Sequence, residues 1–284
     1  MNNTVTMRTY RFIQIEKINA QVTNVIYDNP PVNLIRPETV SELMDVITDL
    51  YEDENLKVAI FSSRTNDYFY NHFDLSKFSE FPVSETVENN PLWTEIILKL
   101  SEAPFVSIAV IKGRTRGGGN ELALAMDLRY ASKEKAYFGQ PEVGTGILPG
   151  GGGAEWLPRF IGRDRAFEAI LTGIDYDAEA AERYGWITRA LPDDELDGFV
   201  LNIAERLASF DKQALSKAKS QINRGSLPPH KDFLKSYTEF AESMTWPSLS
   251  RKFKSLAVLA GQVGGGELEK NLGYYLGIKE KGSF

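Results

Sequence analysis

Cysteine is absent from the 284-residue sequence, and histidine occurs only at His72 and His230. The first absence removes disulfides, thiolate nucleophiles and cysteine-ligated zinc together. The second leaves a multi-histidine centre or a serine–histidine relay poorly supplied, so no metal site is expected. Neither GxxxxGK[ST] nor GxSxG occurs, which withdraws motif support from nucleotide hydrolysis and serine esterase chemistry. No apolar run approaches the length of a membrane span, and the opening Met1 to Tyr10 is polar, without the basic flank and apolar stretch of a secretory signal. A cytoplasmic protein with no membrane partner is expected. Positive charge is also scarce: 32 Lys and Arg against 39 Asp and Glu give a net charge of -7. A nucleic-acid footprint is therefore not expected, and an anionic ligand would need local help. Any chemistry has to rest on carboxylates and backbone.

What is present is an ordinary globular composition, 42% hydrophobic and 25% charged, in a chain long enough for one large domain with a small appendage. Apolar β-formers in Tyr10–Ile15, Val22–Tyr27, Val58–Phe61 and Phe105–Ile111 read as strands. Pro37–Tyr51 reads as a helix, opened by proline and striped by Val40, Leu43, Met44, Ile47 and Leu50. Pro91–Leu100 and Asn120–Met126 read as further helices, the latter buried, and Leu128–Ala131 and Ala136–Phe138 as short strands. Strand–helix alternation predicts an α/β core. Beyond the glycine-rich loop Gly139–Gly153 the reading is helical: Arg163–Leu171, Ala178–Tyr184, Asp194–Ala208, Lys212–Arg224, then most of Pro229 to Phe284.

Two segments carry chemistry. In Gly117-Gly118-Gly119-Asn120-Glu121-Leu122-Ala123, consecutive glycines at a helix start expose backbone N–H groups that attract negative charge. That charge could be a phosphate, a carboxylate or the oxyanion of an enolised thioester; the bland reading is close helix packing, with Glu121 complementing the dipole. In Phe138-Gly139-Gln140-Pro141-Glu142-Val143-Gly144, a carboxylate follows proline in an apolar, glycine-rich loop, where lost hydration raises its pKa and suits it to general acid work; the bland reading is an exposed turn glutamate. If both acids reached one pocket, they would form an acid/base couple with one proton between them. Gly144-Thr145-Gly146-Ile147-Leu148-Pro149-Gly150 mimics a dinucleotide fingerprint, but Pro149 stands where the helix should run, so no nicotinamide cofactor is implied.

These segments, with Ile147-Leu148-Pro149-Gly150, Leu157-Pro158-Arg159-Phe160-Ile161-Gly162-Arg163, Tyr184-Gly185-Trp186-Ile187 and Leu191-Pro192, closely resemble the crotonase superfamily of enoyl-CoA hydratases and isomerases. A weaker likeness at Asn29-Pro30-Pro31-Val32-Asn33 and Phe69–Leu75 extends it over roughly residues 10 to 225. The resemblance implies an α/β fold of the crotonase type, a spiral of ββα units with a helical C-terminal portion. It divides the chain into an acyl-CoA-binding core, 1–205, and a helical portion, 206–284, serving oligomerisation and pocket cover. It implies an oxyanion hole from the N–H groups of Phe73 and Gly118, with Glu121 and Glu142 catalytic. Val32, Asn33, Phe73, Asp74, Leu75, Gly117, Gly118 and Pro141 are implied to bind substrate. Coenzyme A enters only as part of the acyl-CoA substrate, no separate cofactor is implied, and a homo-oligomer, trimer or dimer of trimers, is expected.

Keeping both glutamates favours hydration of a 2-enoyl-CoA, with isomerisation, hydrolysis or decarboxylation as alternatives and an idle scaffold as the reading from another class. The sequence departs from the family at Asn71-His72-Phe73, where small residues are usual, and at Arg114-Thr115-Arg116. Those two arginines read as partners of CoA phosphates or a substrate carboxylate, or as surface or interface charges. His72 reads as locally satisfied, Asp74 as a cap, and Tyr184, Trp156 and Trp186 as packing residues.

Overall fold

The computed structural model of the chain describes residues 9–83 and 91–278. The reading of Met1 to Tyr10 lies outside it up to residue 8, as does that of the C-terminal portion from residue 279. The strands are β1 (Ile13–Asn19), β2 (Val22–Tyr27), β3 (Val58–Ser63), β4 (Asp67–Tyr68), β5 (Val106–Ile111), β6 (Gly113–Arg116), β7 (Leu128–Ser132), β8 (Tyr137–Gly139), β9 (Tyr176–Asp177) and β10 (Arg189–Leu191). A six-stranded sheet runs β1-β2-β3-β5-β7-β10, parallel apart from the β1/β2 hairpin. A smaller sheet runs β4-β6-β8-β9. The chain alternates between them: β3, β5 and β7 each enter the large sheet, and β4, β6 and β8, directly following, enter the small one before the chain turns into helix. That repeat is the ββα spiral, and the mixed α/β fold with a parallel sheet and a helical C-terminal portion is as the resemblance implied.

Period-two alternation explains both faces of the large sheet. Val58 and Ile60 of β3 and Ile108 and Val110 of β5 meet Leu196, Val200, Ala204 and Ala208 of α8 (Asp193–Ala208), which recur every four residues along one stripe. Their neighbours Ala59, Phe61, Ala109 and Ile111 point the other way, into the main core beneath α1 (Pro37–Glu52), α2 (Leu92–Glu102) and α3 (Gly118–Ala125). The expected domain boundary at 205/206 falls inside α8, because that helix covers the sheet as one unit.

After β8 come α4 (Glu142–Thr145), α5 (Gly153–Ile161), α6 (Arg163–Thr172) and α7 (Ala178–Tyr184). The stretch read as one loop, Gly139–Gly153, therefore contains the end of β8 and a helical turn that opens at Glu142. Beyond α8 follow α9 (Lys212–Ser226), α10 (His230–Ser243), α11 (Pro247–Val263), α12 (Gly265–Lys270) and α13 (Leu272–Leu276). Leu256, Leu268, Leu272 and Leu276 form one apolar cluster, and Phe240 and Leu249 close on Ile147 as another. At roughly 2 kcal/mol per buried side chain, the first cluster holds the last three helices to one another and the second ties the C-terminal helices to the loop at Ile147. Among the described residues no helix is long and apolar enough to cross a membrane, and no group of three or more His, Asp or Glu stands close enough to hold a metal ion.

Candidate active site

The glycine run opens α3 as expected, two residues before the Asn120 start that the sequence suggests. Gly117 takes φ +51°, a left-handed conformation open to glycine, and a Cβ there would also lie 2.8 Å from Glu142 Oε1. A Cβ on Gly118 would lie 2.8 Å from Phe73 Cε2, so the Phe73 ring occupies the space that the missing side chain leaves. The ring is wedged edge-on between Phe81 and Trp93, with centroids 4.9 and 5.0 Å away. Backbone pairing fixes the peptides on either side of Phe73: Ile35 N donates to His72 O at 3.0 Å and Asp74 N donates to Ile35 O at 2.9 Å. In extended backbone those two bonds turn the N–H and C=O of Phe73 itself away from Ile35. Among the described residues neither the Phe73 N–H nor the Gly118 N–H has a hydrogen-bond acceptor, and both residues line the same cavity.

Glu121 and Glu142 are brought together, through an intermediary. Gln140 Nε2 donates to Glu121 Oε1 at 3.3 Å and to Glu142 Oε1 at 3.1 Å. The amide cannot turn round. Its oxygen accepts from Asn120 Nδ2 at 2.7 Å, and Asn120 Oδ1 in turn accepts from Trp186 Nε1 at 2.8 Å. The indole N–H thus orients two amides in series, so that a donor faces both acids. Glu121 Oε1 also accepts from Gly151 N at 2.9 Å and Gly153 N at 3.1 Å. A Cβ on Gly151 would lie 2.3 Å from Glu121 Oε2, so glycine is what lets the backbone approach the acid.

Both acids hold their protons more tightly than an ordinary glutamate. Burial pushes Glu121 up to about 7, against the pull of the Gly151 and Gly153 donors and with a further push from Glu155. Burial also raises Glu142 well above its ordinary value, the neighbouring Glu121 carboxylate adds to that, and its Oε2 is buried without a partner among the described residues. An exposed turn glutamate, the bland reading of this segment, does not describe Glu142.

A cavity of about 330 Å³ opens beside this pair. Of the residues implied to act or to bind, Phe73, Asp74, Leu75, Gly118, Pro141 and Glu142 line it, while Val32, Asn33, Gly117 and Glu121 do not. Asn33 is wholly buried and spends its side chain on the fold: Oδ1 accepts from Asn29 N, and Nδ2 donates to Ser63 Oγ and Phe69 O. Glu121 is 1% exposed and is held by Gln140, itself buried. The opposite wall is apolar and comes from the C-terminal helices, with Phe240, Phe253, Leu256, Ala260, Leu268 and Leu272.

Sequence reasoning missed several members of this site. Gln140 lies within a quoted motif, and its place two residues before an acid was the available signal. Glu269, which lines the cavity and meets His72 Nε2 at 3.0 Å, gave none. His72 is therefore not merely satisfied by its immediate neighbours. Asp74 starts the turn Leu75–Glu80 and accepts from Ser76 Oγ at 2.5 Å, but its side chain caps no backbone N–H of that turn. Trp186 packs as expected, and its N–H does more than pack. The two arginines are buried, so neither is a surface charge. Arg116 forms a two-pronged pair with Asp175, at 2.7 Å on each prong, and donates to the carbonyls of Glu269 and Lys270 at the end of α12. Arg114 Nε donates to Lys270 O at 2.6 Å. The last carbonyls of a helix lack partners of their own, so two guanidinium groups suit them.

Known proteins share this arrangement of chain. The family described as enoyl-CoA hydratase/isomerase matches residues 17–246. A crotonyl-CoA hydratase of Syntrophomonas wolfei is 31% identical over 203 residues, covering 71% of this chain and 78% of that protein. A short-chain-enoyl-CoA hydratase of Clostridium acetobutylicum is 31% identical over 194 residues, covering 68% and 74%. Among solved structures, a protein of Streptomyces avermitilis described as a candidate enoyl-CoA hydratase superposes with a TM-score of 0.89 at 38% identity, covering 96% of this chain and 99% of that one. A monofunctional enoyl CoA isomerase from M. smegmatis superposes at 0.64 with 29% identity, covering 76% and 93%.

Proposed function

The chain belongs to the enoyl-CoA hydratase/isomerase family of the crotonase superfamily, and from that premise we propose that it adds water across the 2,3 double bond of a 2-enoyl-CoA. The thioester oxygen lies between the Phe73 and Gly118 N–H groups, whose donors strengthen as negative charge gathers on it. Glu121, ionised, takes a proton from water as the oxygen attacks the β-carbon. Glu142, protonated, gives its proton to the α-carbon as the enolate collapses. Coenzyme A enters only as part of the substrate. The observation that carries this reading is the Gln140 amide spanning two buried acids beside two free backbone donors. Acids of unequal environment so placed are suited to opposite proton-transfer roles.

The test is crotonyl-CoA consumption, followed as loss of the enoyl-thioester ultraviolet absorbance. Turnover is expected in the wild type and collapse in both Glu121→Gln and Glu142→Gln; CoA binding without turnover of any enoyl-CoA would refute the reading. One observation favours a second activity: Glu142 lines the cavity and Glu121 does not. A single acid that reaches substrate suffices to move a proton between two carbons, so double-bond isomerisation of a 3-enoyl-CoA that persists in Glu121→Gln would support that alternative. Assembly as a trimer or dimer of trimers is part of the same proposal. Exposed apolar side chains on α6 and in the C-terminal helices, such as Leu171, Val258 and Tyr274, support it, and the mass in solution measures it.

A further inference from the structure

We propose that His72 is a positioning residue for the Phe73 amide: as an imidazolium it bridges the Phe73 carbonyl and the Glu269 carboxylate, and so couples the donor's geometry to the docking of α12 over the cavity. The proposal rests on the reading of the Phe73 N–H as a donor to the thioester oxygen.

His72 Nδ1 lies 3.0 Å from Phe73 O, and Nε2 lies 3.0 Å from Glu269 Oε2. A carbonyl accepts only, and so does an ionised carboxylate, so both ring nitrogens have to carry protons for both bonds to form. The Phe73 C=O points to the same side of the backbone as its N–H, since Ile35 pairs with the opposite side. Left bare, that carbonyl would set negative charge beside the donor meant for an oxyanion; the His72 N–H occupies it. The groups that face the imidazole come from several elements: Glu269 from α12, Arg116 from β6, and Glu142 from α4 across Gly117. Asp74 on its own loop is engaged by Arg36 at 3.8 Å, and Asn71 Nδ2 reaches Glu269 Oε2 at 3.5 Å.

Burial works against the charge on His72, but Glu269 and the two hydrogen bonds outweigh it and raise the histidine above its ordinary value. Glu269 is lowered: burial opposes this, but His72 and Arg116 prevail. The bridge is therefore whole between the two altered values. It is lost as pH falls through that of Glu269, and again as pH rises through that of His72.

With only two histidines in the chain, His230→Gln leaves a single imidazole in the ¹⁵N-histidine spectrum of the full-length protein. His72 is expected to be doubly protonated at pH 7, to titrate above the ordinary value of about 6.5, and to fall below it in Glu269→Gln. A neutral His72 at pH 7 would overturn the proposal. In crotonyl-CoA hydration, His72→Leu is expected to lower kcat about tenfold to a hundredfold, with a smaller effect on KM. His72→Asn, whose amide N–H can still reach the Phe73 carbonyl, should recover part of the loss. A His72→Asn variant no faster than His72→Leu would refute the positioning role, because a merely space-filling side chain gains nothing from the amide. Should the wild type fail to hydrate crotonyl-CoA, the proposed function falls, while the titration still decides the bridge.

Discussion

Replacing Glu121 by Gln should disable hydration and at the same time stabilise the fold at alkaline pH. The Glu121 carboxyl is 1% exposed and its pKa is raised from 4.5 to about 7, first of all by burial. An acid with a raised folded value binds more protons in the folded than in the unfolded chain between those two pH values. Stability is therefore full below about 4.5, falls as pH rises towards 7, and stays at the lower level above it. Ionising this group in place costs the fold about 3 kcal/mol, from the difference between the two values at about 1.4 kcal/mol per pH unit. Glutamine carries no charge, and its oxygen can accept from the same Gly151 and Gly153 N–H groups, so the variant avoids that cost without orphaning the donors. Urea unfolding of wild type and Glu121→Gln at pH 5 and pH 8 would measure it. The variant should be the more stable by about 3 kcal/mol at pH 8, with the gap narrowing to well under half of that at pH 5. A gap that is constant across this range, or a wild type that gains on the variant as pH rises, would refute the argument that burial holds this carboxyl up.

Three further outcomes follow from the same geometry. Gly118→Ala places a methyl 2.8 Å from a Phe73 ring already wedged between Phe81 and Trp93; initial-rate kinetics should show kcat down about a hundredfold, as for a displacement of about 1 Å at a reacting centre, and a rate within twofold of wild type would contradict it. Gln140→Leu removes the donor to both acids and strips Asn120 Nδ2 of its acceptor. It should cost roughly 1–3 kcal/mol in chemical unfolding and raise the pH of the acid-governed limb of the rate profile. Arg116→Leu strips Asp175 and the Glu269 carbonyl of their guanidinium partner and leaves the Lys270 carbonyl to Arg114 alone; a loss of roughly 3–5 kcal/mol is expected, with earlier protease cleavage in the C-terminal helices than in the wild type.

What could be read from the sequence was what lies close together along it. Val22–Tyr27 was placed to the residue, and Pro37–Tyr51 to within one, because apolar periodicity and a leading proline are local signals. Glu121 and Glu142 stand out in the sequence because each belongs to a compact motif. The strand Gly113–Arg116 was missed because it is polar: its two arginines are buried by pairing with residues that fold back from far along the chain. The short strands Asp67–Tyr68 and Tyr176–Asp177 carry no apolar run at all. The His72–Glu269 contact joins residues 197 positions apart, and nothing local announces such a pairing. Gln140 was in plain sight, yet its role depends on the direction of an amide that only Asn120 and Trp186 settle.

The acids and backbone donors come from residues 73 to 142, whereas the apolar wall of the cavity comes from Phe240 to Leu272. Reactivity and bore are thus written largely in separate stretches of the gene, with Glu269 the residue that reaches from the second back to the first. A lineage could widen or narrow what it admits by exchanging Phe253 or Leu256 while the proton-transfer apparatus stays as it is. The stapling of Lys270 and Glu269 by Arg114 and Arg116 marks the seam at which such an exchange would have to be rejoined.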